Sequence, residues 1–171
     1  MRKTIIAFII IGTALAGCAK KGPQELPPPP SDAVAPGGTP SETSSGATAP
    51  VPGSQGDFLA SITSDRIFFD LDQYQVDDED KATLQSQAQW LQRYAQKQIV
   101  IEGHADERGT RDYNLALGER RANAAKNYLA SLGIASTRIN VISYGKEKPA
   151  ALGSDEGSWA QNRRAVTVTV D

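Results

Sequence analysis

One acidic and one basic side chain stand where this sequence could bind a small charged molecule. Asp106 lies in the loop after the β-branched run 99–101, and Arg121 lies in a helix that Asp112 is placed to cap. At 3.6 residues per turn, Arg121 shares a stripe with Asn114 and with the apolar residues Leu117, Ala124, Tyr128 and Leu132. A buried, unpaired guanidinium costs roughly several kcal/mol, so Arg121 needs an internal partner or a ligand.

This spacing brings Asp106, Asn114 and Arg121 to one end of a strand-loop-helix unit and allows two interpretations. In the first, Asp106 and Arg121 form an internal salt bridge. In the second, they line a pocket for a zwitterion, because a carboxylate accepts from an ammonium and a planar guanidinium donates to a carboxylate. Those are the two charged groups of a free amino-acid terminus. Spacing alone leaves both interpretations open.

The spacing of apolar residues along the chain predicts the helices and strands that position these residues. Apolar runs and alternation predict strands at 67–69, 99–101, 138–144 and 166–170. A first helix is predicted from an Asp77 cap to about Gln96, with a buried stripe of Leu84, Ala88, Leu91 and Ala95. A second helix runs from Asp112 to the stop at Gly133, and a short one is expected at 155–160.

The order of these elements, β-α-β-α-β-(short α)-β, predicts an α+β fold with a small mixed sheet and two helices packed on one face. Gly118, Ala122 and Ala125 lie beside the stripe of the second helix. Small residues there predict that this helix approaches its supporting sheet closely.

The first seventeen residues are predicted to be an export signal. Arg2 and Lys3 precede the apolar stretch 4–14, which is too short to span a bilayer as a stable helix. Residues 15–18, Leu-Ala-Gly-Cys, resemble a bacterial lipobox, in which cleavage precedes the cysteine and its thiol takes a diacylglycerol. Ala19 follows Cys18 where lipoproteins of the inner membrane commonly carry aspartate, which favours the outer membrane.

Residues 18–56 are predicted to form a lipidated, disordered tether, because they hold most of the prolines and almost no large apolar residue. Such a segment averages roughly 35 Å end to end as a flexible coil and stretches to on the order of 130 Å. Whether this length is required or the segment is a passive spacer stays open. The folded domain is predicted at 57–171.

Composition and motifs argue against several functions. The chain of 171 residues has a formal net charge of −2, whereas a nucleic-acid partner favours a basic face. The single histidine, His104, cannot build a metal site with other His or Cys ligands, since the single cysteine is Cys18. There is no Gly-x-Ser-x-Gly elbow and no glycine-rich phosphate loop. Hydrolysis by a carboxylate pair stays conceivable, but we expect a protein without enzymatic activity, cofactor or metal.

The stretch 103–122, GHADERGTRDYNLALGERRA, resembles the signature of OmpA-like peptidoglycan-binding domains. SYGKEKP at 143–149 and NRRA at 162–165 extend this resemblance, which covers about 65–170. It implies non-covalent binding of the peptidoglycan stem peptide through meso-diaminopimelate. Asp106 would bind the ammonium of that residue, Arg121 its carboxylate, and Asn114 would help to close the pocket. The facing wall would consist of Asp72, Gln73 and Tyr74. Ala105 departs from the family, where many members have threonine.

The resemblance also implies a cellular role. Members with a lipid anchor tether the outer membrane to the cell wall from its periplasmic face and contribute to envelope integrity and constriction during division. The partners implied are the envelope proteins TolB and TolA, together with membrane lipid held through Cys18. The alternative is a lipid-anchored protein-interaction module in which Asp106 and Arg121 form a structural salt bridge.

Overall fold

Four strands form one mixed sheet in a computed structural model that describes residues 49–170. The elements are α1 (Gln55–Ser61), β1 (Arg66–Phe68), α2 (Asp78–Arg93), β2 (Gln98–His104), α3 (Arg111–Ser131), a 3₁₀ turn (Ser136–Arg138), β3 (Ile139–Gly145), α4 (Glu156–Asn162) and β4 (Arg164–Val170). The predicted signal segment, Cys18 and the tether up to residue 48 lie outside the described residues.

The strand order is β1-β4-β2-β3, with β2 and β3 parallel and β4 antiparallel to both β1 and β2. This confirms the predicted α+β class and the mixed sheet. Ile99 and Ile101 point from β2 into the helical layer and are fully buried, as alternation in a half-covered strand requires. Among residues 49–170, no helix combines the length and the apolar character that crossing a bilayer demands.

The predicted cap and stripe of α2 are largely confirmed. Asp77 accepts a hydrogen bond from the Asp80 amide at 2.8 Å and so caps the helix. Its buried residues include Leu84, Ala88 and Leu91. Ala95 is exposed because the helix ends at Arg93, before the predicted end near Gln96.

Helix α1 was not predicted. Ser54 caps it by accepting from the Asp57 amide at 3.2 Å, and Phe58 is completely buried against Trp90 with ring centroids 5.0 Å apart. The Asp57 carboxylate also accepts from the Trp90 indole N–H at 3.0 Å. The predicted domain start at residue 57 therefore falls inside a helix that belongs to the core.

Strand β4 alternates as predicted, but its threonines, rather than its valines, face the helices. Thr167 is buried and donates to the Gln87 side chain at 2.8 Å, and the Thr169 hydroxyl donates to Gln55 at 2.8 Å. These paired polar groups replace the apolar contacts that alternating valines suggest. The valines lie on the uncovered face of the sheet.

Candidate functional site

The candidate site lies where β2 ends and α3 begins. Thr110 caps α3 by accepting from the Tyr113 amide at 3.3 Å, so the predicted cap, Asp112, lies instead in the first turn. Close packing holds the helix to the strand: a Cβ on Gly103 would lie 1.8 Å from the Gly118 carbonyl oxygen. The predicted close approach of this helix is therefore present, and it fixes the position of Arg121 one turn further on.

Arg121 is completely buried, and three backbone carbonyls hold its guanidinium. Nη1 donates to the His104 oxygen at 2.8 Å, Nε to the Gln73 oxygen at 2.9 Å, and Nη2 to the Asp70 oxygen at 3.1 Å. Burial, followed by the charge of Arg163, lowers the pKa of Arg121 to about 10, so it remains protonated at neutral pH. Since a guanidinium has five N–H groups, two remain for other acceptors.

Asp106 has its own set of partners and is also buried. Its Oδ1 accepts from the Arg108 amide and from Arg108 Nε, both at 3.1 Å, and its Oδ2 accepts from Arg108 Nη2 at 2.6 Å. Arg163 Nη1 lies 3.6 Å from Oδ2. Burial alone would raise the pKa of Asp106, but the hydrogen bonds and charge of Arg108 lower it, with a contribution from Arg163.

These contacts differ from the predicted alternative of an Asp106–Arg121 salt bridge. Within residues 49–170, the ion pairs of Asp106 are with Arg108 and Arg163, and Arg121 is bonded to carbonyls. Each member of the predicted pair is thus held separately, and neither is held by the other.

A cavity of about 320 Å³ nevertheless joins the two groups. It is lined by Leu71, Asp72, Ala105, Asp106, Arg108, Gly109, Tyr113, Asn114, Leu117 and Arg121. Asn114 donates to the Arg108 carbonyl at 2.8 Å and so supports the loop. The Tyr113 hydroxyl donates to Asp72, which has a left-handed backbone with φ of 59°.

The other two predicted wall residues lie elsewhere. The Gln73 backbone supports Arg121, but Gln73 lines a neighbouring cavity of about 560 Å³, together with Asp70 and Arg163. Tyr74 lines a groove beside Tyr128. The smaller cavity therefore contains Asp72, Asp106, Asn114 and Arg121 of the predicted set.

Sequence reasoning missed Arg108, Tyr113 and Arg163 as residues of this region. Arg108 follows Asp106 by two positions in a turn, a spacing that allows its amide to bond the carboxylate, so a local signal for Arg108 exists. Arg163 comes from the end of α4, and no local pattern links it to Asp106.

His104, the last residue of β2, is buried. The residues between 49 and 170 hold no group of three or more His, Cys, Asp or Glu side chains suited to a metal ion. Burial, together with the charge of Arg164, lowers the pKa of His104 to about 4. The ring is therefore neutral at pH 7.

Residues 68–163 match the OmpA family over more than half of the chain. The chain belongs to the OmpA family. Its relatives include the "Peptidoglycan-associated lipoprotein" of Rhizobium meliloti, 50% identical over 98% of this chain and 88% of the relative. The protein of the same name from Pseudomonas aeruginosa is 41% identical, over 92% of each chain.

Two solved structures agree with the fold. The crystal structure of the peptidoglycan-associated lipoprotein from Burkholderia pseudomallei has a TM-score of 0.61 and 49% identity, covering 66% of this chain and 93% of that one. The C-terminal domain of Helicobacter pylori MotB has a TM-score of 0.58 at 17% identity, covering 63% of this chain and 84% of that one. At that identity, MotB supports the fold alone.

Proposed function

We propose that this OmpA-family protein is an outer-membrane lipoprotein that binds the diaminopimelate stem peptide of peptidoglycan without a covalent bond. The observation that carries the proposal is the cavity in which Asp106, Asn114 and Arg121 meet with Asp72. The names of its relatives, which describe peptidoglycan-associated lipoproteins, support it. The protein would act as a binding protein and not as an enzyme.

Recognition would use the two poles of the diaminopimelate side chain. Its ammonium would pair with the Asp106 carboxylate, and its carboxylate would accept from the two N–H groups that Arg121 has left. The carbonyls that already hold Arg121 fix the direction of those two donors. A lysine stem peptide lacks the carboxylate and would leave these donors unpaired, a defect that can cause strong rejection.

Anchoring through Cys18 would place the domain on the periplasmic face of the outer membrane. Two acyl chains suffice for stable attachment, and a tether from residue 18 would let the domain reach the wall. We further propose a role in a Tol-Pal system with TolB and TolA as partners, supported by the family resemblance of the motifs. If TolB binds over the pocket, added TolB lowers the fraction of protein that sediments with sacculi. An unchanged fraction contradicts this competition.

Co-sedimentation of the full chain, in detergent, with purified diaminopimelate-type sacculi tests the proposed pocket. Asp106→Asn keeps the side-chain shape but removes the charge that pairs with the ammonium. We therefore expect its affinity for the sacculi to fall by about tenfold or more. Asp112→Asn makes the same chemical change at an exposed position outside the cavity and should bind as the unmodified chain does. Circular dichroism melts establish that each variant is folded. Equal sedimentation of all three proteins contradicts the proposal.

A further inference from the structure

Cations of the protein surround the Asp106 carboxylate: Arg108 occupies three of its about four acceptor positions, and Arg163 faces the remaining one on Oδ2. Three hydrogen bonds come from Arg108, one from its amide and two from its guanidinium, and Arg163 provides a further ion pair at 3.6 Å. Only 6% of the residue is exposed. An incoming ammonium can therefore reach this carboxylate only if one of the two guanidinium groups moves away.

Arg163 is poorly suited to move. Its side chain is 7% exposed, its Nε donates to the Phe69 carbonyl at 2.8 Å, and its Nη2 donates to Glu156 at 2.8 Å. Displacing it would break both contacts and leave a buried carbonyl unpaired, which is costly.

Arg108 is better placed to move than Arg163, because its guanidinium has a second carboxylate, that of Glu156, within reach. Its side chain is 35% exposed, its guanidinium carbon lies 4.0 Å from the centre of the Trp159 ring, and Nη1 lies 3.9 Å from Glu156. Neither of these contacts involves Asp106. A small rotation of the guanidinium over the indole would exchange the Asp106 carboxylate for that of Glu156 and would keep the cation–π contact.

We propose that the Arg108 guanidinium, which lies over Trp159 of α4, occupies the Asp106 carboxylate when the site is empty and is displaced from it by the ammonium of diaminopimelate. We call this displaceable side chain the latch. This inference rests on the proposed function and adds a competing internal cation to it. Asp106 exchanges one cation for another, and Arg108 turns to Glu156, so no charge is left unpaired. The Arg108 amide keeps its bond to Oδ1 and holds the loop in place throughout.

A latch of this kind lowers the apparent affinity of the site. The ligand binds the fraction of molecules in which Asp106 is released, so its apparent dissociation constant is raised by the inverse of that fraction. Removing the competing guanidinium should therefore tighten binding. A side chain that contacted the ligand itself would have the opposite effect when removed.

Calorimetric titration of the full chain in detergent with free meso-diaminopimelate tests the latch. Arg108→Gln removes the charge but leaves the amide, and we expect it to bind about three- to tenfold more tightly than the unmodified chain. Arg111→Gln, at an exposed arginine that pairs with Glu147, is the matched control and should leave affinity unchanged. Tryptophan emission gives a second readout: saturating ligand should change it in the unmodified chain and not in Arg108→Gln.

The outcomes separate the two proposals. If the unmodified chain binds diaminopimelate and Arg108→Gln binds it equally or more weakly, the latch is wrong and the pocket stands. An emission change that persists in Arg108→Gln also overturns the latch. If the unmodified chain does not bind diaminopimelate at all, the proposed function fails, and the latch fails with it.

Discussion

Arg121 ties together two parts of the chain that are far apart in sequence. Its guanidinium joins the loop at Asp70 and Gln73 to the end of β2 at His104, through three carbonyl oxygens. The bond to the His104 oxygen is shielded from water, so losing it is costly, whereas the bonds to Asp70 and Gln73 are partly buried. The residue that would hold the ligand carboxylate therefore also holds the walls of the cavity.

Arg121→Lys should destabilise the protein while keeping the charge. A lysine ammonium has no planar fork and cannot reach three divergent carbonyls, so we expect the free energy of unfolding to fall by about 2 kcal/mol. Arg120→Lys, the same change on the exposed neighbouring residue, should have an effect below about 0.5 kcal/mol. Urea denaturation of the full chain measures both values. Equal midpoints for the two variants contradict this role of Arg121.

Asp80 should make stability depend on pH in an unusual direction. Burial, with the nearby charges of Asp77 and Glu79, raises the pKa of Asp80 to about 6 despite a hydrogen bond from the Phe68 amide. An acid whose pKa is raised on folding favours the native state when protonated, so its contribution is fully present below the unfolded pKa of 3.8 and declines as the pH rises through 6.

The variant Asp80→Asn removes this titration. Its stability relative to the unmodified chain should improve between pH 4 and pH 7 by on the order of 1 to 3 kcal/mol. Comparing the two proteins cancels the opposite contribution of His104, whose lowered pKa favours the native state at high pH. Asp78→Asn, at an exposed position of the same helix where Lys81 lowers the pKa of the carboxyl, is the control and should gain no stability as the pH rises. If the free energies of unfolding of Asp80→Asn and the unmodified chain differ by the same amount at every pH, this role of Asp80 is contradicted.

At the scale of single residues, the sequence predicted where Arg121 lies better than it predicted what Arg121 contacts. The predicted stripe on α3 placed Arg121 on the buried face, and Arg121 is indeed buried. Beyond Arg121 the stripe is wrong, because Ala124, Tyr128 and Leu132 are only half-buried. The buried face there is formed by Ala122, Ala125 and Leu129. The partners of Arg121, however, are main-chain carbonyls, which every residue has and which no sequence pattern marks. Asp106 was likewise predicted in the correct loop, but its contact with Arg163 depends on where α4 packs.

At the scale of elements, the position of α3 on the sheet determines the site. A Cβ on Gly118 would lie 2.4 Å from the Ser143 hydroxyl oxygen and 2.8 Å from the Gly103 carbonyl oxygen. The Ser143 hydroxyl in turn donates to the Leu115 carbonyl at 2.7 Å, so it is not free to rotate away without loss. Small residues at this contact bring the helix close enough for Asn114 and Arg121 to reach the cavity.

Gly118→Ala should push α3 away from β2 and β3. Overpacking of this contact should cost about 1 to 3 kcal/mol, partly offset by the better helix propensity of alanine. Gly56→Ala, in helix α1, is the matched control, because a Cβ there would make only ordinary contacts, 3.5 Å to Pro50 and 3.6 Å to Ser54. Urea denaturation should show a lower midpoint for Gly118→Ala alone. Unchanged stability of Gly118→Ala contradicts the close-packing explanation.

Local patterns predicted most elements and missed those that depend on distant contacts. The cap at Asp77 and the stripe of α2 are local, and the structure has both. Helix α1 has seven residues and one buried side chain, so it has little periodic signal, although a serine three residues before Asp57 is a capping pattern. The buried threonine face of β4 depends on Gln55 and Gln87, which are far away in sequence.

At the scale of the whole molecule, the proposed function depends on attachment at two points. A lipid at Cys18 and a domain at the wall would keep the binding site close to a polymer that repeats its stem peptides. Rebinding at high effective concentration then makes a modest affinity for each stem peptide sufficient. Selectivity becomes the property that matters most, and it depends on the carboxylate that Arg121 would receive.

Sedimentation of the full chain with two kinds of sacculi tests that selectivity directly. One wall carries diaminopimelate stem peptides and the other carries lysine, at equal amounts of glycan. The account predicts binding to the diaminopimelate wall and at least about tenfold weaker binding to the lysine wall, because Arg121 and its two remaining N–H groups would lack a partner there. Equal affinity for the two walls would contradict the central claim that Asp106 and Arg121 recognise a zwitterion.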